Sequence, residues 1–166
     1  MYSIRLMTEA DIPDVLRIQS QAYDSAVLES EAVFRARRRS NPQQAWVAHD
    51  AQGVCAYLFG YRSQVGQVTP LEGDFHSPEN ADCLYLHDLA VARRAAGRKI
   101  GPALVNQALS QARQQRLRYS ALVSVQDSQP FWSRLGYAEQ TTLHAQQAAH
   151  LASYRIPATY MVCRLN

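Results

Sequence analysis

The stretch CLYLHDLAVARRAAGRKIGPALV, residues 83–105, limits what this chain can become more than any other part of it. Tyr85, Leu86, Leu89, Ala90 and Val91 are mostly β-formers or apolar and describe a strand. Ile100, Leu104, Ala108 and Ala112 then recur one helical turn apart. Between the two lies a glycine-containing turn. A strand that delivers such a turn straight into a helix N-terminus gathers unpaired backbone N–H groups at the positive end of a helix dipole. Such a place suits a phosphate.

The rest of the chain supplies a sheet for that strand. Residues 3–7 read as a first strand. Thr8-Glu9-Ala10-Asp11 is a capping-box-like start to a helix with Ile12, Val15, Leu16, Ile18 and Ala22 on one stripe, ending near Tyr23. A second helix spans 30–39, stopped by Asn41-Pro42. Strands 45–49 and 54–62 form a hairpin over Asp50-Ala51-Gln52-Gly53. Residues 64–82 carry Gly66, Pro70, Gly73 and Pro78 and no period, so they either touch substrate or form a surface insertion. After the fourth strand and a helix to about Arg116, residues 119–125 form a fifth strand, apolar enough to be covered on both faces. A short helix over 130–135 ends at Gly136, a sixth strand covers 137–143, residues 144–157 connect, and a seventh strand closes 158–165. The expected fold class is α/β: a mixed, mostly antiparallel sheet of about seven strands with about four helices. It has one parallel crossover, between the fourth and fifth strands, and residues 1–166 make one domain. Ligands in such sheets sit at the carboxyl ends of strands where the order changes.

Composition removes several classes of function. With 47% hydrophobic and 19% charged residues the chain is an ordinary globular one. No apolar run nears the roughly 20 residues of a membrane span, and the N-terminus lacks the regions of a signal peptide, so a cytoplasmic location is expected. Cys55, Cys83 and Cys163 are isolated, odd in number and inside strands, which reads as buried free thiols with no metal-ligand spacing. Arg35 and Arg37 to Arg39 read as a solvated helix face. Arg93, Arg94, Arg98 and Lys99 border the phosphate turn, where positive charge is useful. No wide basic stripe with interleaved aromatics points to nucleic acid.

Leu89-Ala90-Val91, five residues of turn and Gly97-Arg98-Lys99-Ile100-Gly101 resemble the GCN5-related N-acetyltransferases, whose signature Gln/Arg-x-x-Gly-x-Gly/Ala follows a Leu-x-Val strand end. In the register set by Leu89 to Val91 and Leu104, Ala96 stands where Gln or Arg is usual and Lys99 where Gly is usual. A literal match begins two residues later, at Arg98, but breaks the flanking alignment. A side chain at position 99 fits if the backbone there is helical with negative φ, and Lys99, the only lysine, can replace part of the lost Arg charge. Pro130-Phe131-Trp132-Ser133-Arg134-Leu135-Gly136-Tyr137 is similar to the family's later motif. The run Leu86-His87-x-Leu89-Ala90-Val91 is similar to the arylalkylamine (serotonin) N-acetyltransferases, whose strand carries catalytic histidines at the positions of Tyr85 and His87.

The resemblance implies a GNAT fold with a splayed pair of fourth and fifth strands, and an acetyl-coenzyme A co-substrate with no metal. It implies transfer of the acetyl group to a primary amine by direct attack, the acceptor being a small, arylalkylamine-like molecule. The alternatives are an acyl-coenzyme A-binding module without catalysis and a protein or peptide N-acetyltransferase. The cofactor residues it implies are Leu89, Ala90 and Val91 for the pantetheine arm, Gly97, Arg98, Lys99, Ile100, Gly101 and Pro102 for the pyrophosphate, and Gln126 and Trp132. A backbone N–H near Leu89 would stabilise the oxyanion. His87 would be the catalytic base, with Tyr85 relaying or positioning a water. Tyr85 and His87 share a face by strand alternation, with Asp88 on the other unless a bulge intervenes. Phe75, Tyr61 and Trp132, if they line the acceptor site, favour an aromatic amine. Trp132 stands where the family often has a Tyr that protonates the coenzyme A thiolate, and indole is no acid. Either another tyrosine substitutes or the thiolate leaves unprotonated. Sheet edges near the C-terminus make a homodimer plausible.

Overall fold

A computed structural model describes residues 1–166. Seven strands form one sheet: β1 (Ser3–Leu6), β2 (Ala45–Asp50), β3 (Gly53–Ser63), β4 (Cys83–Val91), β5 (Tyr119–Val125), β6 (Ala138–Glu139) and β7 (Ala158–Arg164), in the order β1-β2-β3-β4-β5-β7-β6. Only β4 and β5 run parallel, and their ladder covers just Cys83↔Tyr119 to Leu86↔Leu122. Beyond Leu86 they part. Helix α3 (Ile100–Gln114) makes the crossover. The expected mixed sheet with one parallel crossover is what the chain forms.

Helices cover both faces. On one, Ile100, Leu104, Val105, Ala108 and Ala112 of α3 and Trp132 of α4 (Gln129–Arg134) pack on Trp46, Leu58, Leu84, Leu86 and Leu122. On the other, Ile12, Val15 and Ile18 of α1 (Ile12–Ala22) and Phe34 of α2 (Glu31–Ser40) pack on Val47, Tyr57, Phe59 and Tyr85. Local chemistry starts these helices where the sequence indicates. Asp11 accepts the Thr8 amide at 2.8 Å ahead of α1, and the Ser30 hydroxyl accepts the Val33 amide at the start of α2. All three cysteines are free and buried. No helix is long and apolar enough to cross a membrane.

Three expectations need correcting. The sixth strand is two residues long, because only Ala138 and Glu139 find partners on β7. The connection after it contains a fifth helix, α5 (Ala145–Ala152), whose alanine-rich sequence AQQAAHLA is itself the missed signal. Residues 64–82 are no loose insertion. The Val68 amide donates to Gln147 Oε1 at 2.7 Å, Tyr154 donates to the Thr69 carbonyl at 2.8 Å, and the Gly66 amide donates to the Tyr160 hydroxyl at 2.8 Å, which straps the loop onto α5 and β7.

One irregularity positions the site. Against β3, Phe59 pairs with Asp88 and the next residue, Gly60, pairs with Leu86, so His87 is an extra residue on β4. This is a β-bulge. A Cβ on Gly60 would lie 2.8 Å from the Tyr85 carbonyl oxygen, so the partner strand has a residue without one there. The bulge breaks alternation: Tyr85 and His87 face the α1 and α2 side, and Asp88, hydrogen-bonded by Tyr57, faces it too.

Candidate active site

Where β4 and β5 diverge, a cavity of about 560 Å³ opens between the strand ends, α1, α3 and α4. Of the residues singled out in the sequence, His87, Leu89, Ala90, Val91, Gly97, Arg98, Lys99, Ile100, Gly101, Pro102, Gln126 and Trp132 all line it. Tyr85 does not. It is fully buried, and its hydroxyl accepts the Thr69 amide at 3.4 Å. Tyr61 and Phe75, stacked at 4.4 Å, also lie outside the cavity walls, behind His87.

At one end the chain turns from β4 into α3. Lys99 does not have the expected negative φ: it is left-handed at φ 58° and ψ 25°, and Gly97 is at φ 77°. Positive and negative φ alternate from Gly97 to Ile100, which turns successive N–H groups inward as an anion-binding concavity. None of the amides from Gly97 to Gly101 donates to a protein acceptor, and the α3 dipole adds positive potential. Two of the three arginines beside the loop are already paired. Arg94 and Arg98 reach Asp50 at 2.9 and 2.6 Å, and their hydrogen bonds hold its carboxyl well below the usual range. Lys99 and Arg93 have no carboxylate partner, and of the two only Lys99 lines the cavity.

At the other end His87 has a setting that neighbouring sequence does not announce. Its Nε2 lies 2.8 Å from Glu29 Oε1. Glu29, in the link between α1 and α2, is held bidentate by Arg37 at 2.8 and 2.7 Å and accepts the Glu72 amide at 2.7 Å. Gln19 fixes its backbone through both polar groups. Burial alone would raise the Glu29 carboxyl, but His87 and Arg37 outweigh it and hold the group far below the carboxylate range. An ionised Glu29 can only accept, so Nε2 is a hydrogen-bearing nitrogen and Nδ1 is the ring nitrogen left for the cavity. Nδ1 has no partner.

Arg37 corrects the reading of the basic run as a solvated face. Arg35, Arg38 and Arg39 gather round Glu9, whereas the Arg37 side chain is 1% exposed, with Phe75 stacked on its guanidinium at 4.5 Å. Its place one turn after the buried Phe34 is the signal that could have found it. Glu29 lies 58 residues from His87 and has no such signal.

Asp88, which also lines the cavity, is 7% exposed. Tyr57 donates to its Oδ2 at 2.7 Å, and burial raises its carboxyl from the ordinary range. The Gln126 side chain is engaged with the chain after α1, accepting from the Asp24 amide at 2.7 Å and donating to the Ala22 carbonyl at 3.0 Å. Two tyrosines line the walls, Tyr23 and Tyr154. Each donates its hydroxyl hydrogen to a carbonyl, of Leu89 and Thr69 respectively, at 2.8 Å, and burial raises both phenols. Neither has a proton free for a leaving group.

The sequence matches the profile of the acetyltransferase (GNAT) family over residues 12–137. A comparison with curated protein sequences finds no match. Among solved structures, the loading GNATL domain of CurA from Lyngbya majuscula superposes with a TM-score of 0.81 at 10% identity, covering 99% of this chain and 98% of that one. A GphF GNAT-like decarboxylase in complex with isobutyryl-CoA gives 0.79 at 13% identity, over 99% and 100% of the two chains. The ribosomal-protein-S18-alanine N-acetyltransferase from Escherichia coli gives 0.70 at 15%, over 100% and 95%. At these identities the likeness is one of fold.

Proposed function

This chain belongs to the acetyltransferase (GNAT) family, and on that premise we propose that it transfers an acetyl group from acetyl-coenzyme A directly to a primary amine. The unpartnered amides of residues 97–101, with Lys99 beside them, receive the pyrophosphate. The β4 edge left open beyond Leu86 takes the pantetheine arm. His87 removes the proton from the acceptor nitrogen, directly or through a water, as that nitrogen attacks the thioester carbonyl, and a backbone N–H near Leu89 steadies the oxyanion. The carbon–sulfur bond breaks and coenzyme A leaves as the thiolate. A thiol pKa of about 8.5 makes that departure tolerable without an acid, as Trp132 and the two carbonyl-bound tyrosines require.

The observation that carries this reading is the His87–Glu29 bond, which leaves the second ring nitrogen without a partner on a residue lining the same cavity as the amide-rich loop. Steady-state thiol release with acetyl-coenzyme A over an amine panel, at pH 6 to 9, tests it. His87→Ala is expected to lower kcat/KM by about 100-fold or more. A loss below about threefold removes His87 from the chemistry. Acetyl-coenzyme A binding without turnover on any amine would make the chain a binding module.

A further inference from the structure

Buried polar atoms in native proteins almost always have partners. Here three side-chain atoms have no hydrogen bond: Glu9 Oε1, His87 Nδ1 and Asp88 Oδ1. The first is still within ion-pair distance of Arg38 and Arg39, at 3.5 and 3.4 Å. The other two belong to consecutive residues that line the cavity and that the bulge puts on one face of the sheet.

What each atom can bind follows from its sister atom. His87 Nε2–H goes to Glu29, so in the neutral ring the lone pair lies on Nδ1. The Tyr57 hydroxyl goes to Asp88 Oδ2, so Oδ1 is left as an acceptor. Two neighbouring acceptors on the cavity wall suit a group that brings two hydrogens, and an ammonium brings them together with a charge opposite to that of a carboxylate. We propose that His87 Nδ1 and Asp88 Oδ1 together receive the ammonium group of the acceptor substrate, and that this acceptor is a small primary monoamine without a carboxylate. The proposal rests on the acetyl-transfer reading above and names its substrate class.

The exclusion of a carboxylate comes from the cations. Arg37 is closed by Glu29 on both amino nitrogens, Arg98 is paired with Asp50, and Lys99 stands at the loop end, beside α3. An α-amino acid would bring its carboxylate toward Glu29 and Asp88 with no cation to meet it. The size limit comes from depth. The His87 side chain is 3% exposed, and the loop of residues 64–82, tied to α5, lays Leu71 against the cavity. Val27, Leu71, Val123 and Trp132 offer an apolar body a lining. In the reaction one ammonium proton passes to His87 Nδ1, the nitrogen lone pair attacks the thioester carbon, the second proton is lost to water as the carbon–sulfur bond breaks and the thiolate departs, and the last N–H stays on Asp88 Oδ1.

The test is calorimetry in the presence of coenzyme A, comparing 2-phenylethylamine with its isosteric alcohol, 2-phenylethanol, on the unaltered protein and on Asp88→Asn. The amine should bind at least about tenfold more tightly than the alcohol, and Asp88→Asn should cut that preference to about threefold or less. The affinity for acetyl-coenzyme A should stay within about twofold in the variant. Equal binding of amine and alcohol by the unaltered protein overturns the proposal, and needs no variant to fold. So does an amine preference that survives in Asp88→Asn, or faster turnover of glutamate or of an alanine-led peptide than of monoamines. If the amine is preferred but acetyl-coenzyme A is never consumed, the transfer reading fails while the ammonium site stands.

Discussion

Replacing Glu29 by Gln puts the buried charge network to a quantitative test. The Glu29 and Arg37 side chains are 4% and 1% exposed, so solvent screens neither charge. The carboxylate takes two guanidinium hydrogens, the His87 Nε2 hydrogen and the Glu72 amide, all within 2.8 Å. Gln keeps the volume and the backbone bonds to Gln19. It also turns an N–H₂ donor against donors and leaves the Arg37 guanidinium without a counter-charge. Breaking a buried pair from one side costs about 3–5 kcal/mol. At this chain length each kcal/mol moves Tm by roughly 2–4 °C, so calorimetry should show a fall of about 10 °C at pH 7. Removing both charges, as Glu29→Met with Arg37→Leu, should recover at least half of that while activity stays lost. The pH dependence has a definite sign. The folded-state pKa of Glu29 is depressed, so its contribution is complete above the ordinary glutamate value of about 4.3 and fades as pH falls through the lower folded value. The gap between native and Glu29→Gln proteins should therefore narrow from pH 7 to pH 3. A Tm loss under about 3 °C, or a gap that stays constant in acid, refutes this account.

Two further expectations concern residues that differ from their sequence reading. Lys99→Gly relieves a left-handed side-chain position of about 1–2 kcal/mol and adds back about 0.5–1 kcal/mol of chain entropy. The apo protein should therefore melt about 1–3 °C higher, while acetyl-coenzyme A binds several-fold more weakly by titration calorimetry; a lower Tm would show that the lysine is not strained. Tyr85→Phe should leave kcat/KM within about threefold in steady-state assays, because the hydroxyl sits outside the cavity and its only bond is a 3.4 Å one. A tenfold loss would restore the water relay through Tyr85.

The parts of this molecule that are legible in the sequence are those decided locally. Alternation in residues 45–62 and 83–91, the one-turn spacing of Ile100, Leu104 and Ala108, and the glycine turn before them were enough for the sheet, the crossover and the loop end of the site. His87 was visible because it sits on the same strand as the turn. Glu29 was not, since nothing in the link between two helices says which strand it will meet. Arg37 was hidden by its own neighbours: four arginines within five residues read as a wet face, and only the helical phase shared with Phe34 separates one from the rest. The left-handed backbone at Lys99 is not legible, because a side chain there argues for negative φ while the chain's reversal into α3 imposes the opposite.

The extra residue at position 87 also says how such a site is acquired or lost. In a regular strand every substitution leaves the side of the sheet unchanged, so no exchange of one amino acid for another could bring His87 and Asp88 together. Only a change in length does that. Deleting His87 would restore plain alternation, leaving Asp88 beside Tyr57 and Leu89 and Val91 on the α3 side while removing the imidazole and its bond to Glu29. The chain's chemistry is thus guarded by residue count, a quantity that point mutation does not touch.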